Sequence, residues 1–436
     1  MNLHSYNYAV YLPAVNTSYI TTAARVLPQG RRFPHGVTPA DLRFWEPNNL
    51  WHYPYWLHSI GQHKVGSTPP FETKKSLRGE NILVGDSGGY QIGKGTLGGL
   101  RHLKSTPMSA MAAVEAWRDE SQARNWITNW LSNECDYAMT IDMPLWAQSS
   151  KGANSPFHSC STEQLIEMTV KNLHFINTFS PMNVKWLNVI QGGMTVVDAI
   201  AWWDSVKWFR RGGWAMAGTA GAVGGLYNML AILLMMRDED AFVTGQDWLH
   251  VLGVSTPFWS IALTAIQNAL RNINPKLTVS YDSSSPFQLG GRYEQVCLTP
   301  AFGRYKMGWS IKTILAPQRP LYATSACQER FPFRQSPIGS RLMLNELNVR
   351  SGIFSARQFD SFSNALLTNH NIWVHLDAFK TANDLVANDE FMHVPQDYLN
   401  CIELIGELFN ETSLSGWTEK LEKHKDFLDS LAPYRL

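Results

Sequence analysis

A regular alternation of two hydrophobic patterns runs through the middle of the sequence and limits the folds open to this chain. Short apolar runs rich in β-branched and aromatic residues alternate with longer stretches of helical period. The runs predict strands at residues 81–85, 136–142, 184–190, 214–217, 248–253 and 277–281. The stretches predict helices at residues 110–131, 163–179, 197–209, 226–236 and 257–271. Strands separated by helices form parallel sheets, so a doubly wound sheet and a (β/α)8 barrel both fit this order.

The number of strands favours the barrel. Residues 8–12 predict one earlier strand and residues 321–325 one late strand, which brings the count to about eight. We therefore predict an α/β protein with a (β/α)8 TIM barrel. Its expected parts are a first strand with a capping segment at residues 1–80, the catalytic barrel core at 81–330 and a C-terminal helical part at 331–436. Helical patterns within that last part lie at residues 358–368 and 419–431.

The composition excludes several classes of protein. Of the 436 residues, 44% are apolar and 17% charged, which is the balance of a globular chain and not of a disordered one. A net charge of +1 excludes a protein that coats nucleic acid through overall basicity, so any such contact must be a local patch. We expect most of the 17 tryptophans in the core, with base stacking as the alternative.

Three further features predict a cytoplasmic location. The five cysteines are scattered without a CxxC pair, which is typical of a reducing compartment and argues against a disulfide framework. The first residues contain no basic segment followed by an apolar stretch, so we expect no secretory signal. The longest apolar run, at residues 226–236, is too short to cross a bilayer, so we expect no membrane partner.

Polar residues and glycines follow the predicted strands at the points where the apolar runs end. In a parallel β/α barrel the carboxyl ends of all strands form one rim, and active sites are built there. Taken alone, an aspartate after a strand is typical of a turn or a helix N-cap, but the repetition along the chain favours a common pocket. The residues expected at this rim are Asp86, Asp142, Gln191, Gly218, Gly253 and Asp282.

These residue types indicate the chemistry of the pocket. The sequence has no metal-ligand spacing, no nucleophile elbow and no cofactor lysine in context, so we predict neither a cofactor nor a bound metal. One carboxylate can attack an acetal-like carbon and form a covalent glycosyl intermediate, while a second carboxyl group serves as general acid or base. A carboxylate and a carboxamide can also bind the edge of a purine, and glycines let backbone N–H groups approach the ring closely.

Short segments of the chain resemble the motifs of the tRNA-guanine transglycosylases, in the same order. Residues 85–91 (GDSGGYQ) are similar to the family's DSGG(F/Y)Q motif, and residues 281–283 (YDS) are similar to its FDC nucleophile motif. The other similar segments are 141–144 (IDMP), 189–193 (VIQGG), 213–218 (GWAMAG), 249–253 (LHVLG) and 368–371 (TNHN). Order and spacing agree over about residues 81–290, half of the chain.

The resemblance implies a TIM-barrel pentosyltransferase that exchanges a guanine base in nucleic acid for a 7-deazaguanine. It implies Asp282 as the nucleophile at C1′ of the sugar and Asp86 as the acid/base that transfers a proton. The target nucleotide would be flipped out or unpaired, and the free deazaguanine base would be the second substrate. The residues that would hold or sandwich the base are Tyr90, Asp142, Gln191, Gly192, Gly218, Leu252 and Gly253.

The chain departs from the transfer-RNA enzymes at two positions after the nucleophile. Their zinc site combines a cysteine cluster with the late histidine, whereas only Cys297 and Cys327 lie between Asp282 and His370 here, so we predict no zinc. Their basic PTRxGR loop, which grips the anticodon, is replaced by residues 283–292 (SSSPFQLGGR). The second departure argues against transfer RNA as the substrate.

A third departure concerns the substituent on the base. Bacterial members place a glutamate shortly after their GGL segment, where it pairs with an aminomethyl group. Counted from Gly218, that position is Val223 here, which suits a neutral nitrile, although residues 224–226 (GGL) offer a competing alignment. With residues 8–15 (YAVYLPAV), these departures resemble the DNA-guanine transglycosylases, which insert 7-cyano-7-deazaguanine into DNA. Helper proteins that open the duplex would be further partners.

Basic residues near the rim are candidates for contacts with the DNA backbone. Lys94, Arg101 and Arg292 are the principal ones, because they lie in segments next to the expected rim. Residues 93–98 (GKGTLG) form a GxGxxG pattern, but the DSGGYQI segment separates it from the preceding strand, which argues against a dinucleotide site. Additional candidates for phosphate contacts are Lys74, Lys75, Lys104, Arg210 and Arg211.

Other functions stay open on the sequence alone. The same exchange on transfer RNA is the nearest alternative. A non-catalytic, nucleic-acid-binding subunit of a transglycosylase is another, although such a subunit could lose its carboxylates, and Asp86 and Asp282 are both present. A small-molecule glycosidase on the same barrel is less favoured, because Gln191 and the glycines indicate a base-shaped pocket.

Overall fold

Eight parallel strands form the centre of the fold. The computed structural model describes residues 5–68, 79–179, 184–192, 196–218, 225–319, 322, 324–347 and 359–431. The strands are β1 (Val10–Pro13), β2 (Tyr55–Ser59), β3 (Ile82–Asp86), β4 (Tyr137–Met139), β5 (Lys185–Gln191), β6 (Gly212–Ala217), β7 (Trp248–Val251) and β8 (Thr278–Ser283).

The sheet closes into a barrel. Its strand order is β1-β8-β7-β6-β5-β4-β3-β2, and every neighbouring pair is parallel. The two ends of this order meet through a parallel bridge between Ala14 and Leu57, where Val15 N–H donates a hydrogen bond of 2.9 Å to the Leu57 carbonyl. The predicted (β/α)8 TIM barrel of the α/β class is therefore confirmed.

Helices alternate with the barrel strands along the chain, and further helices follow the last of these strands. Those between the strands are α1 (Thr17–Ala23), α2 (Gly89–Gly93), α3 (Ala110–Asp119), α4 (Ser121–Glu134), α5 (Thr162–Thr178), α6 (Val196–Val206), α7 (Gly225–Asp238) and α8 (Pro257–Arg271). After β8 come α9 (Ser285–Gly291), an antiparallel pair β9 (Gln295–Leu298) and β10 (Lys312–Leu315), then α10 (Ser361–Ala387), α11 (Gln396–Asn410), α12 (Leu414–Lys423) and α13 (Lys425–Leu431). Within the described ranges, no helix combines the length and apolar character that crossing a membrane requires.

The prediction of the eighth strand was wrong. Residues 322, 324 and 325, the described part of the stretch predicted as a late strand, are not in a strand. The missing strand is β2, which lies in the segment expected to act only as a cap. Its five residues (YWLHS) are too few for a clear alternation, and His58 is buried although it is polar. The strand is stabilised by its neighbours β3 and β1 and not by a local pattern.

Two hydrophobic cores follow from the alternation of side chains along each strand. A small cluster fills the barrel interior and includes Val10, Leu57, Val189 and Trp248. A far larger cluster lies between the strands and the helices. The largest fully buried side chains are led by Trp56, Trp186, Trp202, Trp203 and Trp214, so these tryptophans pack the core, as expected.

Candidate active site

The carboxyl-terminal rim of the barrel brings together the polar residues that follow its strands. Asp86 ends β3, Gln191 ends β5, and Asp282 is the penultimate residue of β8. Because side chains alternate, Asp282 points to the barrel interior, whereas Tyr281 packs in the outer core against Phe379. Residues far apart in the sequence therefore line one mouth.

Asp282 is held by groups on the neighbouring strand. Its Oδ1 accepts a hydrogen bond of 2.9 Å from Gly253 N–H, directly after β7. Nε2 of His250 lies 3.3 Å from the same oxygen. The described residues offer no hydrogen-bond donor to Oδ2, and the side chain is 14% exposed, so this oxygen is available to a ligand.

The surroundings of Asp86 shift its pKa. Burial raises its pKa above the ordinary value, while the hydroxyl of Ser59 and the N–H of Gly88 oppose that rise. The Gly88 N–H donates to Asp86 Oδ1 at 3.1 Å. The charge of Asp282 raises the pKa of Asp86 further, and the imidazole of His250 lowers it, so these groups share one electrostatic environment.

Asp142 and Gln191 form a second polar pair at the rim. Gln191 Nε2 donates to Asp142 Oδ2 at 2.5 Å, and both side chains are buried. Burial raises the pKa of Asp142 to about 7, the Gln191 amide opposes this, and the charge of Asp86 adds to it. A carboxyl group beside a carboxamide can accept and donate hydrogen bonds along the edge of a flat heterocycle.

Glycines bring backbone close to this pair. Gly218 has φ of +77°, and a Cβ there would lie 3.5 Å from Gln191 Oε1. The adjacent residue Gly192 is fixed by its N–H, which donates to the Ala217 carbonyl at 2.9 Å. The position predicted to face the base substituent, Val223, lies outside the described residues.

Tyr90 and Leu252 lie near the rim on different elements. Tyr90 in α2 is 55% exposed and its ring lies 5.3 Å from that of Trp146. Leu252 follows β7 and packs on the interior cluster, with its N–H donating to the Met216 carbonyl. An exposed ring and a half-buried leucine are each suitable for contact with a face of a planar ligand.

The turn between β3 and α2 allows no side chain at Gly88. Its φ is +82°, and a Cβ would lie 2.6 Å from the Cα of Gly61. We expect Gly88→Ala to lower the free energy of unfolding by about 2 kcal/mol or more, because backbone strain and a backbone clash add. Gly66→Ala is the matched control, since Gly66 has φ of +81° but open space, and it should cost about 1 kcal/mol. Urea unfolding of both variants tests this, and equal losses would contradict it.

The candidate phosphate-binding residues lie in different places. Lys94 is next to the pocket, with Nζ 4.8 Å from the centre of the Tyr90 ring. Arg101 is exposed on the loop after α2, where its N–H donates to Glu120 at 2.7 Å. Arg292 is exposed at the end of α9, with its guanidinium over the Tyr293 ring.

Two other basic candidates are not at the rim. Arg210 and Arg211 immediately precede β6, which places them at the amino ends of the parallel strands. Arg210 donates to the Asp240 carbonyl at 2.9 Å, so it supports a loop at that end. Lys104, on the loop after α2, donates to the Leu100 carbonyl at 3.2 Å. The predicted candidates Lys74 and Lys75 lie outside the described residues.

The glycine run at residues 93–98 does not have the geometry of a dinucleotide site. Such a site needs the glycines between a strand and the start of a helix. Here the run begins at the last residue of α2, and the next helix, α3, starts only at Ala110. The segment is a loop beside the pocket, as expected from its distance to β3.

His370 is used in packing. It is fully buried in α10, where Nε2 donates to the Cys297 carbonyl at 3.1 Å and Nδ1 contacts Ser336 Oγ at 2.8 Å. Burial lowers the pKa of His370 to about 4 and raises that of the Cys297 thiol. Among the residues that the structure describes, no three His, Cys, Asp or Glu side chains are grouped to hold a metal ion.

We therefore expect metal chelation to leave the protein unchanged. Both ring nitrogens of His370 already have protein partners. This histidine is therefore not expected to bind a metal ion whose loss would destabilise the protein. Thermal unfolding should give the same Tm after dialysis against EDTA as after addition of zinc. A Tm that falls with EDTA and recovers with zinc would show that the remaining residues complete a metal site.

Sequence reasoning missed Ser59, Trp146 and His250. Ser59 lies at the end of β2 and pairs with Asp86 in the β2–β3 register. It was not identified because β2 was not predicted. Trp146 reaches Tyr90 from the loop after β4, which no local pattern indicates. His250 could have been found, because it lies two positions before Leu252 and so on the same face of a strand.

Comparison of the chain with models of known protein families and with curated proteins found no match.

Proposed function

We propose that this chain is a DNA-guanine transglycosylase, which exchanges guanine in DNA for a 7-deazaguanine such as 7-cyano-7-deazaguanine. The observation that carries the proposal is that Asp86 ends β3 and Asp282 lies near the end of β8, so that both carboxyl groups are at one barrel mouth. The two carboxyl groups have different environments, since burial raises the pKa of Asp86 while Asp282 keeps one oxygen free. Such a difference assigns one group as acid and the other as nucleophile.

In the first half-reaction, Asp282 attacks C1′ of the target deoxyribose. A bond forms between C1′ and a carboxylate oxygen, and the bond between C1′ and N9 of guanine breaks. The electron pair of the broken bond goes to N9, and Asp86 delivers its proton to the departing base. The raised pKa of Asp86 supports this role, because the group holds a proton at a higher pH than an ordinary aspartate does.

The second half-reaction reverses these steps with another base. The carboxylate of Asp86 takes the N9 proton of the incoming deazaguanine, and N9 attacks C1′. The bond between C1′ and the Asp282 oxygen breaks, and its electron pair returns to the carboxylate. No hydrolytic water, oxidant or reductant is needed, so the exchange balances with the groups present at the rim.

The base would lie between the polar pair and the apolar border of the pocket. The Asp142 carboxylate can accept hydrogen bonds from N–H groups of guanine, and the Gln191 amide and the Gly218 backbone can bind its remaining edge. The ring faces would meet Tyr90 and Leu252. The target base must leave the helix stack to reach this depth.

The segment after the nucleophile supports DNA over transfer RNA. Residues 285–291 form α9, which packs closely on α10: a Cβ at Gly290 would lie 2.7 Å from the backbone nitrogen of Thr368. The segment has a single basic residue, Arg292, at its end. Phosphate contacts would then come from the other side of the mouth, where Lys94 and Arg101 lie.

Nucleoside analysis tests the proposal. DNA and RNA from cells with and without the protein are digested to nucleosides and analysed by mass spectrometry, with the Asp282→Asn variant as the matched control. We expect a deazaguanine nucleoside in DNA only with the wild-type protein. The purified protein should also incorporate labelled guanine into plasmid DNA.

Other outcomes favour the alternatives. Label in bulk transfer RNA but not in DNA would assign the same chemistry to transfer RNA. Binding of DNA without exchange, unaffected by Asp282→Asn, would indicate a non-catalytic subunit. Absence of any deazaguanine in DNA would overturn the proposal.

A further inference from the structure

His250 is a fully buried polar side chain inside the barrel, next to Asp282. It pairs in register with Ser280, and its Nδ1 lies 2.8 Å from Ser280 Oγ. Its Nε2 lies 3.3 Å from Asp282 Oδ1, but the two are not aligned as a hydrogen bond. A buried nitrogen without a partner costs about 1–3 kcal/mol, so its place beside Asp282 needs an explanation.

The surroundings of His250 fix where its proton lies. Trp248 Nε1, which can only donate, gives a hydrogen bond of 2.7 Å to Ser280 Oγ. The Ser280 hydroxyl can then donate its own proton to Nδ1 of a neutral His250. Were Nε2 unprotonated, its lone pair would face the Asp282 carboxylate and be repelled. Whether the imidazole is neutral or charged, Nε2 carries a proton toward Asp282.

We propose that His250 is a positioning residue: its Nε2 faces Oδ1 of Asp282, which already accepts a hydrogen bond from Gly253 N–H, and Oδ2 is left as the atom that attacks C1′. This inference rests on the proposed function. Two donors from β7 and the turn after it approach one oxygen, while the other oxygen has no donor among the described residues. The carboxylate is thereby oriented before the substrate arrives.

The arrangement also serves the second half-reaction. In the ester, Oδ2 is bonded to C1′ and Oδ1 is a carbonyl oxygen that carries little charge. When the bond between C1′ and Oδ2 breaks, negative charge returns to the carboxylate, and Oδ1 bears part of it. The N–H of Gly253 already bonds to that oxygen and Nε2 of His250 lies 3.3 Å from it, so both groups stabilise the departing carboxylate more than the ester.

Two substitutions of His250 test whether its N–H group or only the shape of its ring is required. His250→Phe keeps a planar buried ring and removes the donor, whereas His250→Gln retains an N–H near the position of Nε2. The probe is a guanine-containing DNA oligonucleotide, with the covalent complex trapped by denaturation in single-turnover experiments. We expect His250→Phe to form the complex about 10- to 100-fold more slowly, with KM for guanine unchanged. His250→Gln should restore most of that rate.

Equal rates for the two variants, or a wild-type rate for His250→Phe, would overturn the inference. A wild-type protein that forms no covalent complex and exchanges no base would instead refute the proposed function. The inference then has its own test in the NMR spectrum of the protein labelled with ¹⁵N-histidine. A protonated Nε2 whose resonance shifts in Asp282→Ala but not in Asp247→Asn supports the contact, and an unprotonated Nε2 overturns it.

Discussion

Replacing Asp282 with asparagine should reduce base exchange by about 10³-fold or more while the barrel stays folded. The amide oxygen of asparagine can still accept the hydrogen bond from Gly253 N–H, so the local structure is retained. What is lost is the anionic oxygen that would form the glycosyl bond. Exchange of labelled guanine into DNA measures the loss, and circular dichroism checks the fold.

The matched control is Asp247→Asn. Asp247 also accepts a backbone hydrogen bond, from Gly245 N–H at 3.0 Å, but it lies directly before β7, at the opposite end of the barrel from Asp282. We expect this variant to exchange bases at the wild-type rate. Retention of exchange in Asp282→Asn would place the nucleophile elsewhere and would contradict the assignment.

Binding of the free base should distinguish the two halves of the site. The proposed base-binding pair, Asp142 and Gln191, does not hydrogen-bond to Asp282. Asp282→Asn should therefore bind guanine about as tightly as the wild type. Loss of guanine binding together with exchange would mean that Asp282 holds the base itself.

The residues that sequence reasoning located lie directly after strands with a clear local pattern. Asp86, Gln191 and Asp282 each follow or end a short apolar run, and parallel strands of a barrel share one rim. No distance information was needed, because the topology places all these positions at the same edge. The predicted helix at residues 257–271 also matches α8, whose Pro257 and Thr256 cap are strong local signals.

The residues that it could not locate depend on contacts between elements. β2 closes the barrel through neighbours on both sides, so its short sequence carries little information. The contact between His250 and Asp282 depends on the register of β7 against β8, which pairs His250 with Ser280. The basic residues depend on topology in the same way, because Arg210 lies at the amino end of β6 whereas Lys94 follows α2 near the carboxyl-terminal rim.

The stability of the protein should depend on pH through Asp142. Burial and the charge of Asp86 raise the pKa of Asp142 to about 7, whereas in the unfolded chain the carboxyl has its ordinary value of 3.8. The folded state therefore binds more protons between these values, so this group makes the protein less stable as pH rises from about 4 to about 7. Above about 7 the loss is complete.

Asp142→Asn should remove this dependence. The asparagine cannot ionise, and its amide oxygen can still accept the hydrogen bond from Gln191. At pH 8 the variant should be more stable than the wild type by about 4 kcal/mol, and the difference should shrink toward pH 5. Urea unfolding at both pH values measures it, with Asp119→Asn, an exposed carboxylate, as the control. A difference that is constant with pH would contradict the assignment.

The same carboxyl group should control the affinity for the base, in the opposite direction. N–H groups of guanine need an acceptor, and Asp142 becomes a full acceptor only when it is ionised. Guanine should therefore bind more tightly as pH rises through about 7, an inflection that Asp142→Asn lacks. In Asp86→Asn the inflection should move to lower pH, because the charge of Asp86 contributes to the raised pKa of Asp142. Binding, and not turnover, is the measurement, since Asp86→Asn also removes the proposed proton donor. The protein would thus become less stable in the same pH range in which its affinity for guanine increases. The Asp142→Asn variant should keep the stability at high pH and lack the increase in affinity.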